Sequence, residues 1–156
     1  MILHRFFSTS ARTPKRPRAT ASTTPLAAPP AAAAPAGELR LMLLMRTDLG
    51  MSKGKLCAQA AHAAVSAYRA AAAGSDAQRA SLRAWLRSGQ AKVVLRVEGE
   101  DALAALQAGA RERGLAAAAV HDAGRTQVEA GALTCVALGP GSAEDVAALT
   151  GHLKLL

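Results

Sequence analysis

The chain has 156 residues, a formal net charge of +8 and two cysteines, which is enough for one domain with a short extension. The charge is uneven, because residues 1–37 contain five basic and no acidic side chains and leave a net charge of +3 for the remainder. A domain this mildly basic does not require a broad surface for nucleic acid, although it can contain a local basic patch.

The two cysteines, Cys57 and Cys135, belong to no Cys-x-x-Cys pair and to no Cys/His cluster. This spacing excludes a zinc ribbon, gives no support to a disulfide framework, and predicts two buried thiols in a reducing compartment. No window of the sequence reaches the roughly 18 to 20 apolar residues of a membrane-spanning helix. We therefore expect no membrane span.

The first twelve residues form a leader that is basic, rich in hydroxyl groups and free of acids. On a helix its apolar side chains would share one side, which is typical of a mitochondrial or plastid transit peptide. Residues 13–37 contain six of the seven prolines and are expected to be a disordered linker. We favour the mitochondrial matrix over the plastid; the alternative is a disordered basic tail on a cytoplasmic protein.

The folded domain is predicted over residues 38–156. Leu39 to Arg46 is an apolar run of strand length, of the kind that is buried on both faces of an α/β sheet. Ser52 is a candidate N-cap for a helix over residues 53–73, which Gly74 would end.

A second helix is predicted over residues 76–88, with an apolar face formed by Leu82, Trp85 and Leu86. Gly89 would end this helix. Residues 92–97 then indicate a second strand.

The last part of the chain contains the remaining four predicted elements. They are a helix over residues 100–113, strands over 116–121 and 133–138, and a helix over 143–149 that Ser142 caps. The resulting order, β-α-α-β-α-β-β-α, predicts an α/β domain with a small four-stranded mixed sheet and helices on both faces.

The turn between the first strand and the first helix is the most informative segment. It contains Lys53 and Lys55, and the helix that follows places Lys55, Gln59 and His62 on one face because they are four and three residues apart. A basic turn at a helix N-terminus can bind an anion through its free backbone N–H groups. The ordinary alternatives are two solvated lysines and a histidine that packs locally.

Three segments occur in an order that is similar to a known family: residues 46–55 with Gln59 and His62, residues 122–127, and residues 151–155. Together they closely resemble the type II peptidyl-tRNA hydrolases of archaea and eukaryotes. The resemblance covers residues 39–156 and none of the leader. It implies hydrolysis of the ester between a peptide and tRNA, a four-stranded mixed sheet, a homodimer, and no metal or organic cofactor.

The resemblance also implies roles for individual residues, and Lys53 is the residue with the firmest support. His62 suits proton transfer near neutral pH, and Asp122 stands where a strand gives way to a turn, although an aspartate often only begins such a turn. The predicted catalytic residues are Lys53, His62, Asp122, Thr126 and Thr134. The predicted contacts with RNA are Lys55, Gln59, Arg125 and Gln127.

No Gly-x-Ser-x-Gly elbow is present, so an acyl-enzyme has no support. The simplest reaction is attack by water assisted by Asp122 or His62, with Lys53 stabilising the developing charge. Two other functions are open: a non-catalytic adaptor with the same fold, and a general RNA-binding protein. The domain is only mildly basic, and its only aromatic side chains are Tyr68 and Trp85. Both facts argue against a general RNA-binding protein.

Overall fold

The computed structural model describes residues 37–124 and 128–156, so the predicted leader and Arg125, Thr126 and Gln127 lie outside the described residues. The elements follow the predicted order. The strands are β1 (Leu39–Arg46), β2 (Lys92–Val97), β3 (Ala117–His121) and β4 (Leu133–Ser142). The helices are α1 (Lys53–Ala73), α2 (Asp76–Arg87), α3 (Glu100–Glu112) and α4 (Ala143–Thr150).

The four strands form one mixed sheet in the order β2-β1-β4-β3, which confirms the predicted fold class. β1 and β2 are parallel, and β4 is antiparallel to both of its neighbours, β1 and β3. β1, β2 and β3 therefore run in the same direction, and their C-terminal ends meet at one side of the sheet. We call this side the carboxyl edge.

The sheet separates two hydrophobic clusters, and β1 contributes to both because its side chains alternate between faces. Leu41 and Leu43 pack with α1 and α2 on one face, whereas Met42 and Leu44 pack with α3 and α4 on the other. Helices therefore cover both faces, as predicted. The helix α1 packs closely on its face because its buried positions in this cluster are small: Ala63, Ala67 and Ala71.

The strand β4 is longer than predicted and continues to Ser142. The prediction ended this strand at residue 138. In the structure Gly141 pairs with Arg40 of β1 across a shift in register, and such a bulge tolerates a proline inside a sheet. Gly139 has a φ of +97°, and a Cβ there would lie 2.9 Å from the carbonyl oxygen of Arg40. Only glycine fits this close approach of two strands.

Two predictions about burial were wrong. Leu86 is 38% exposed although Leu82 and Trp85 on the same helix are buried, because only one narrow side of α2 faces the sheet. Cys57 is exposed whereas Cys135 is buried, since α1 buries its alanine positions and turns Cys57 away from them.

The C-terminal segment covers the outer side of β2. The backbone N–H of Arg96 donates to the carbonyl of Lys154 at 2.9 Å, and that of Leu156 donates to Val94 at 3.1 Å. This pairing satisfies backbone groups that would otherwise form an open sheet edge. The closing segment that resembles the family therefore has a structural role in this fold.

None of the helices among the described residues is long and apolar enough to cross a membrane.

The end of β1 is fixed by a buried arginine. The Arg46 guanidinium donates to both carboxylate oxygens of Asp48, at 3.1 and 2.6 Å, and to Glu100 at 2.8 Å and the Leu133 carbonyl at 3.1 Å. Arg46, helped by the Gly99 amide, lowers the pKa of Asp48 from 3.8 to about 2, against the opposing effect of burial. This network connects β1, α3 and β4 at the carboxyl edge.

We expect Asp48→Asn to lower the free energy of unfolding by about 1.5–3 kcal/mol near neutral pH, the range for hydrogen bonds to charged groups. Because the folded pKa of Asp48 is depressed from 3.8 to about 2, its contribution is complete above the unfolded pKa and disappears as the pH falls through the folded one. Urea unfolding near pH 7 and near pH 2 measures both effects.

The control is Glu38→Gln, which breaks the ion pair with Arg40, whose side chains are 59% and 39% exposed. An exposed pair contributes at most about 1 kcal/mol. Equal losses in the two variants would contradict a special role for the buried network.

Candidate active site

A pocket of about 220 Å³ lies between α1 and the end of β3, at the carboxyl edge. The α1 residues that line it are Lys55, Gln59 and His62, which confirms that their spacing places them on one side of the helix. The remaining lining residues are Val120, His121, Asp122 and Ala123. The pocket is smaller than the sites of drug-sized ligands, roughly 300–1,000 Å³, so it suits one small polar part of a larger molecule.

The start of α1 is defined by Ser52, as predicted. Its side-chain oxygen accepts a hydrogen bond from the backbone N–H of Lys55 at 3.4 Å, which satisfies one free amide of the first turn. Lys55 is thereby placed on the first turn of a capped helix, and its side chain turns towards the end of β3.

Asp122 is the centre of the site and is buried. One carboxylate oxygen, Oδ2, accepts from the ammonium group of Lys55 and from Nε2 of Gln59 at 2.9 Å. The other, Oδ1, accepts from the backbone N–H of Gly124 at 2.8 Å. The Lys55 ammonium, followed by the Gly124 amide, lowers the pKa of Asp122 below its ordinary value.

Asp122 is also fixed by its own backbone. Its N–H donates to the Ala132 carbonyl at 2.9 Å, and its carbonyl accepts from the Gly131 N–H at 2.8 Å. These bonds join the backbone of Asp122 to the two residues just before β4. Asp122 is therefore held both by side chains and through its own backbone.

Thr134 lies behind Gln59 and is fully buried. Its hydroxyl lies 3.0 Å from Oε1 of Gln59 and 3.1 Å from the Val120 carbonyl, and it can donate its single proton to either oxygen. The pairing of β3 with β4 shifts register here, so that Thr134 is the extra residue of a bulge and turns into the site. Thr134 is thus placed to orient Gln59.

The buried thiol of Cys135 adds one more contact to the same helix. Its sulfur donates to the backbone carbonyl of Gln59 at 3.5 Å, and burial raises the pKa of the thiol to about 11. Cys135 therefore remains neutral, and it fixes α1 against β4 without taking part in proton transfer.

Of the two lysines in the basic turn, Lys55 reaches the pocket and Lys53 does not. Lys53 is exposed in the first turn of α1, whereas the Lys55 side chain is only 12% exposed in its ion pair with Asp122. The sequence could not separate the two, because the partner of Lys55 is 67 residues away.

His121 lines the pocket, although sequence reasoning did not select it. Its Nδ1 lies 3.0 Å from the Gly131 carbonyl, so it also contacts the backbone just before β4. Arg46 was also missed as the support of the carboxyl edge. The available signal was an arginine that ends an apolar strand with an aspartate two residues later.

The family profile of peptidyl-tRNA hydrolase PTH2 matches residues 39–156. Three similar proteins are "Probable peptidyl-tRNA hydrolase 2" of Schizosaccharomyces pombe, "Peptidyl-tRNA hydrolase 2, mitochondrial" of Mus musculus and "Peptidyl-tRNA hydrolase" of Methanocaldococcus jannaschii. The identities are 44% over 119 residues, 46% over 122 and 45% over 121. Each alignment covers 76% of this chain, and it covers 57%, 64% and 100% of the respective relative.

The domain is an α/β protein with a small polar pocket at the carboxyl edge of its sheet. The chain belongs to the peptidyl-tRNA hydrolase PTH2 family. It spans 57% and 64% of the length of the fission-yeast and mouse relatives, and the whole length of the archaeal one.

We expect Thr134→Val to lower the free energy of unfolding by about 1–3 kcal/mol, because it leaves the buried Oε1 of Gln59 without a donor. Thr134→Ser retains the hydroxyl and should cost only about 1 kcal/mol, for the loss of one buried methyl group. Urea unfolding of both variants measures the difference. Equal losses would show that packing, and not the hydrogen bond, is what Thr134 provides.

Proposed function

We propose that the chain hydrolyses the ester bond between the peptide and the tRNA of peptidyl-tRNA, and so recycles tRNA from aborted translation. The observation that carries the proposal is the hydrogen-bonded series from Thr134 through Gln59 and Asp122 to Lys55. The series lies in a domain that matches an archaeal protein named peptidyl-tRNA hydrolase over that protein's whole length.

In this proposal Lys55 stabilises the negative charge that develops on the carbonyl oxygen of the ester. Its ammonium group is already oriented by Asp122, so little reorganisation is needed when the oxyanion forms. Gln59 and the Gly124 amide hold Asp122 in turn. Asp122 and Thr134 therefore act through Lys55 and Gln59 as positioning residues.

His62 is the better candidate for the base that activates water. Asp122 accepts three hydrogen bonds and has a lowered pKa, which makes its carboxylate a weak base near neutral pH. His62 lines the pocket and is exposed. It takes a proton from the water whose oxygen attacks the carbonyl carbon. The imidazolium then returns this proton to the ribose oxygen as the ester C–O bond breaks.

The remaining predicted residues are part of this proposal on the strength of the family resemblance. Thr126 would lie beside the ester, and Arg125 and Gln127 would contact the RNA. All three lie in the sequence between Asp122 and Gly131, whose backbones are joined by a hydrogen bond. Lys53, at the exposed mouth of α1, would contact a phosphate of the acceptor end.

We expect Lys55→Met to lower kcat for release of peptide from purified peptidyl-tRNA by about 10²–10³-fold, the loss typical of one oxyanion donor. Lys53→Met is the matched control, because it removes the same group two residues away. It should raise KM and leave kcat within about tenfold of the wild type. A large loss of kcat in Lys53→Met alone would reverse the assignment of the two lysines.

We also propose that residues 1–37 direct the domain at 38–156 to the mitochondrion. The composition of the leader supports this, as do mouse and human relatives whose names include "mitochondrial". A fluorescent reporter fused to residues 1–37 should accumulate in mitochondria, and the same fusion with Arg5→Glu and Arg12→Glu should stay in the cytosol. A diffuse signal from the unmodified fusion would contradict the proposal.

A further inference from the structure

The charges of the domain are divided between the two faces of the sheet. The helices α1 and α2, on one face, contain six basic side chains and one acidic side chain. The helices α3 and α4, on the other face, contain five acidic side chains and one basic side chain. The helices on the two faces therefore carry net charges of +5 and −4.

Most of the positive charge on α1 and α2 is exposed and available. Arg69, Arg83 and Arg87 are exposed, and no carboxylate of the described residues pairs with them. Arg79, by contrast, is bound to Asp76. Unpaired, solvated guanidinium groups are the side chains that bind phosphate most readily.

Some of these basic side chains lie on the same helix as the candidate active site, next to its pocket. Lys55, His62 and Arg69 follow one another at intervals of seven residues along α1, so they lie on one side of the helix about 10 Å apart. Arg83 and Arg87, four residues apart, lie on the neighbouring helix α2. A polyanion that reaches the pocket can therefore meet Arg69 on the same side of α1, about 20 Å from Lys55, and the arginines of α2.

The surface of α1 beside these basic side chains is formed by small and apolar residues. Ala58 and Ala61 are exposed, and so are Val65, by 60%, and Tyr68, by 46%. A shallow groove of about 330 Å³ adjoins this surface and is lined mostly by apolar side chains together with Lys92. The arginine side chains are longer than these neighbours, so their guanidinium groups can reach a rigid double helix that lies over the surface.

We propose that this basic face, formed by the exposed surface of α1 and α2 with Arg69, Arg83, Arg87 and Lys92, binds the phosphate backbone of the double-helical part of the tRNA. The inference rests on the proposed function, because it extends the substrate from the pocket along α1. It also fixes the orientation of the complex, since the acidic face of α3 and α4 must point away from the RNA. Contacts of this kind depend on the charge and shape of the RNA and not on its base sequence.

The test compares two double variants. Arg83→Gln/Arg87→Gln removes two charges from the basic face, and Arg111→Gln/Arg113→Gln removes two exposed charges at the end of α3. Fluorescence anisotropy with deacylated tRNA, over a series of salt concentrations, gives Kd and its salt dependence. The basic-face variant should bind about tenfold more weakly, and the slope of log K against log salt should fall by about 2, one for each lost phosphate contact. The control variant should match the wild type.

Hydrolysis gives a second readout. The basic-face variant should show a KM for peptidyl-tRNA raised by about tenfold with unchanged kcat. It should cleave the same peptide ester on a short 3′-terminal oligonucleotide like the wild type, because that substrate lacks the double helix. Equal behaviour of the two double variants with tRNA would overturn the inference. The inference would also be overturned if the basic-face variant bound tRNA as the wild type does but no longer bound poly-glutamate. That result would assign the face to an acidic protein partner.

The outcomes separate this inference from the proposed function. If the wild type releases no peptide but tRNA binding depends on Arg83 and Arg87, the proposed function fails and the binding face stands. If the wild type releases peptide and the basic-face variant is unaffected with tRNA, the function stands and the binding face fails.

Discussion

The buried side-chain amide of Gln59 connects the helix α1 to both strands that form the site. Its Nε2 donates to Asp122 and its Oε1 accepts from Thr134. A carboxylate only accepts hydrogen bonds, so the amide has a single favourable orientation. Because an unpaired buried polar group costs about 1–3 kcal/mol, the bulge in β4, the end of β3 and the first turns of α1 must keep their relative positions for all of these bonds to form.

The electrostatics of the site follow from this arrangement. Asp122 is held as an anion by donors on both oxygens, and its lowered pKa keeps it charged well below neutral pH. Its constant charge keeps Lys55 at the pocket. The same stability makes Asp122 a poor acceptor of a proton, so the proposed reaction gives the acid–base step to the exposed His62. In that proposal, fixed charge and proton transfer belong to different residues of one small pocket.

The sequence predicted most of the local structure, because local signals determine it. The cap at Ser52 and the stop at Gly74 bound α1 as the structure has it, and the periodic spacing placed Lys55, Gln59 and His62 together. Features that depend on distant pairing could not be predicted. The strand β4 extends because Gly141 pairs with Arg40. Lys55, and not Lys53, reaches the pocket because it pairs with Asp122. Thr134 turns into the site because β4 forms a bulge there. Each of these joins residues far apart in the chain.

The division of charge between the two faces gives the domain an electric dipole that is directed across the sheet. A dipolar protein near a polyanion experiences a torque before any contact is made, and this raises the fraction of encounters that begin in a productive orientation. Such steering weakens steeply as ionic strength rises, because the screening length falls to roughly 8 Å at physiological salt. The segregation of acidic and basic helices therefore influences how fast a substrate is captured, apart from how tightly it is held.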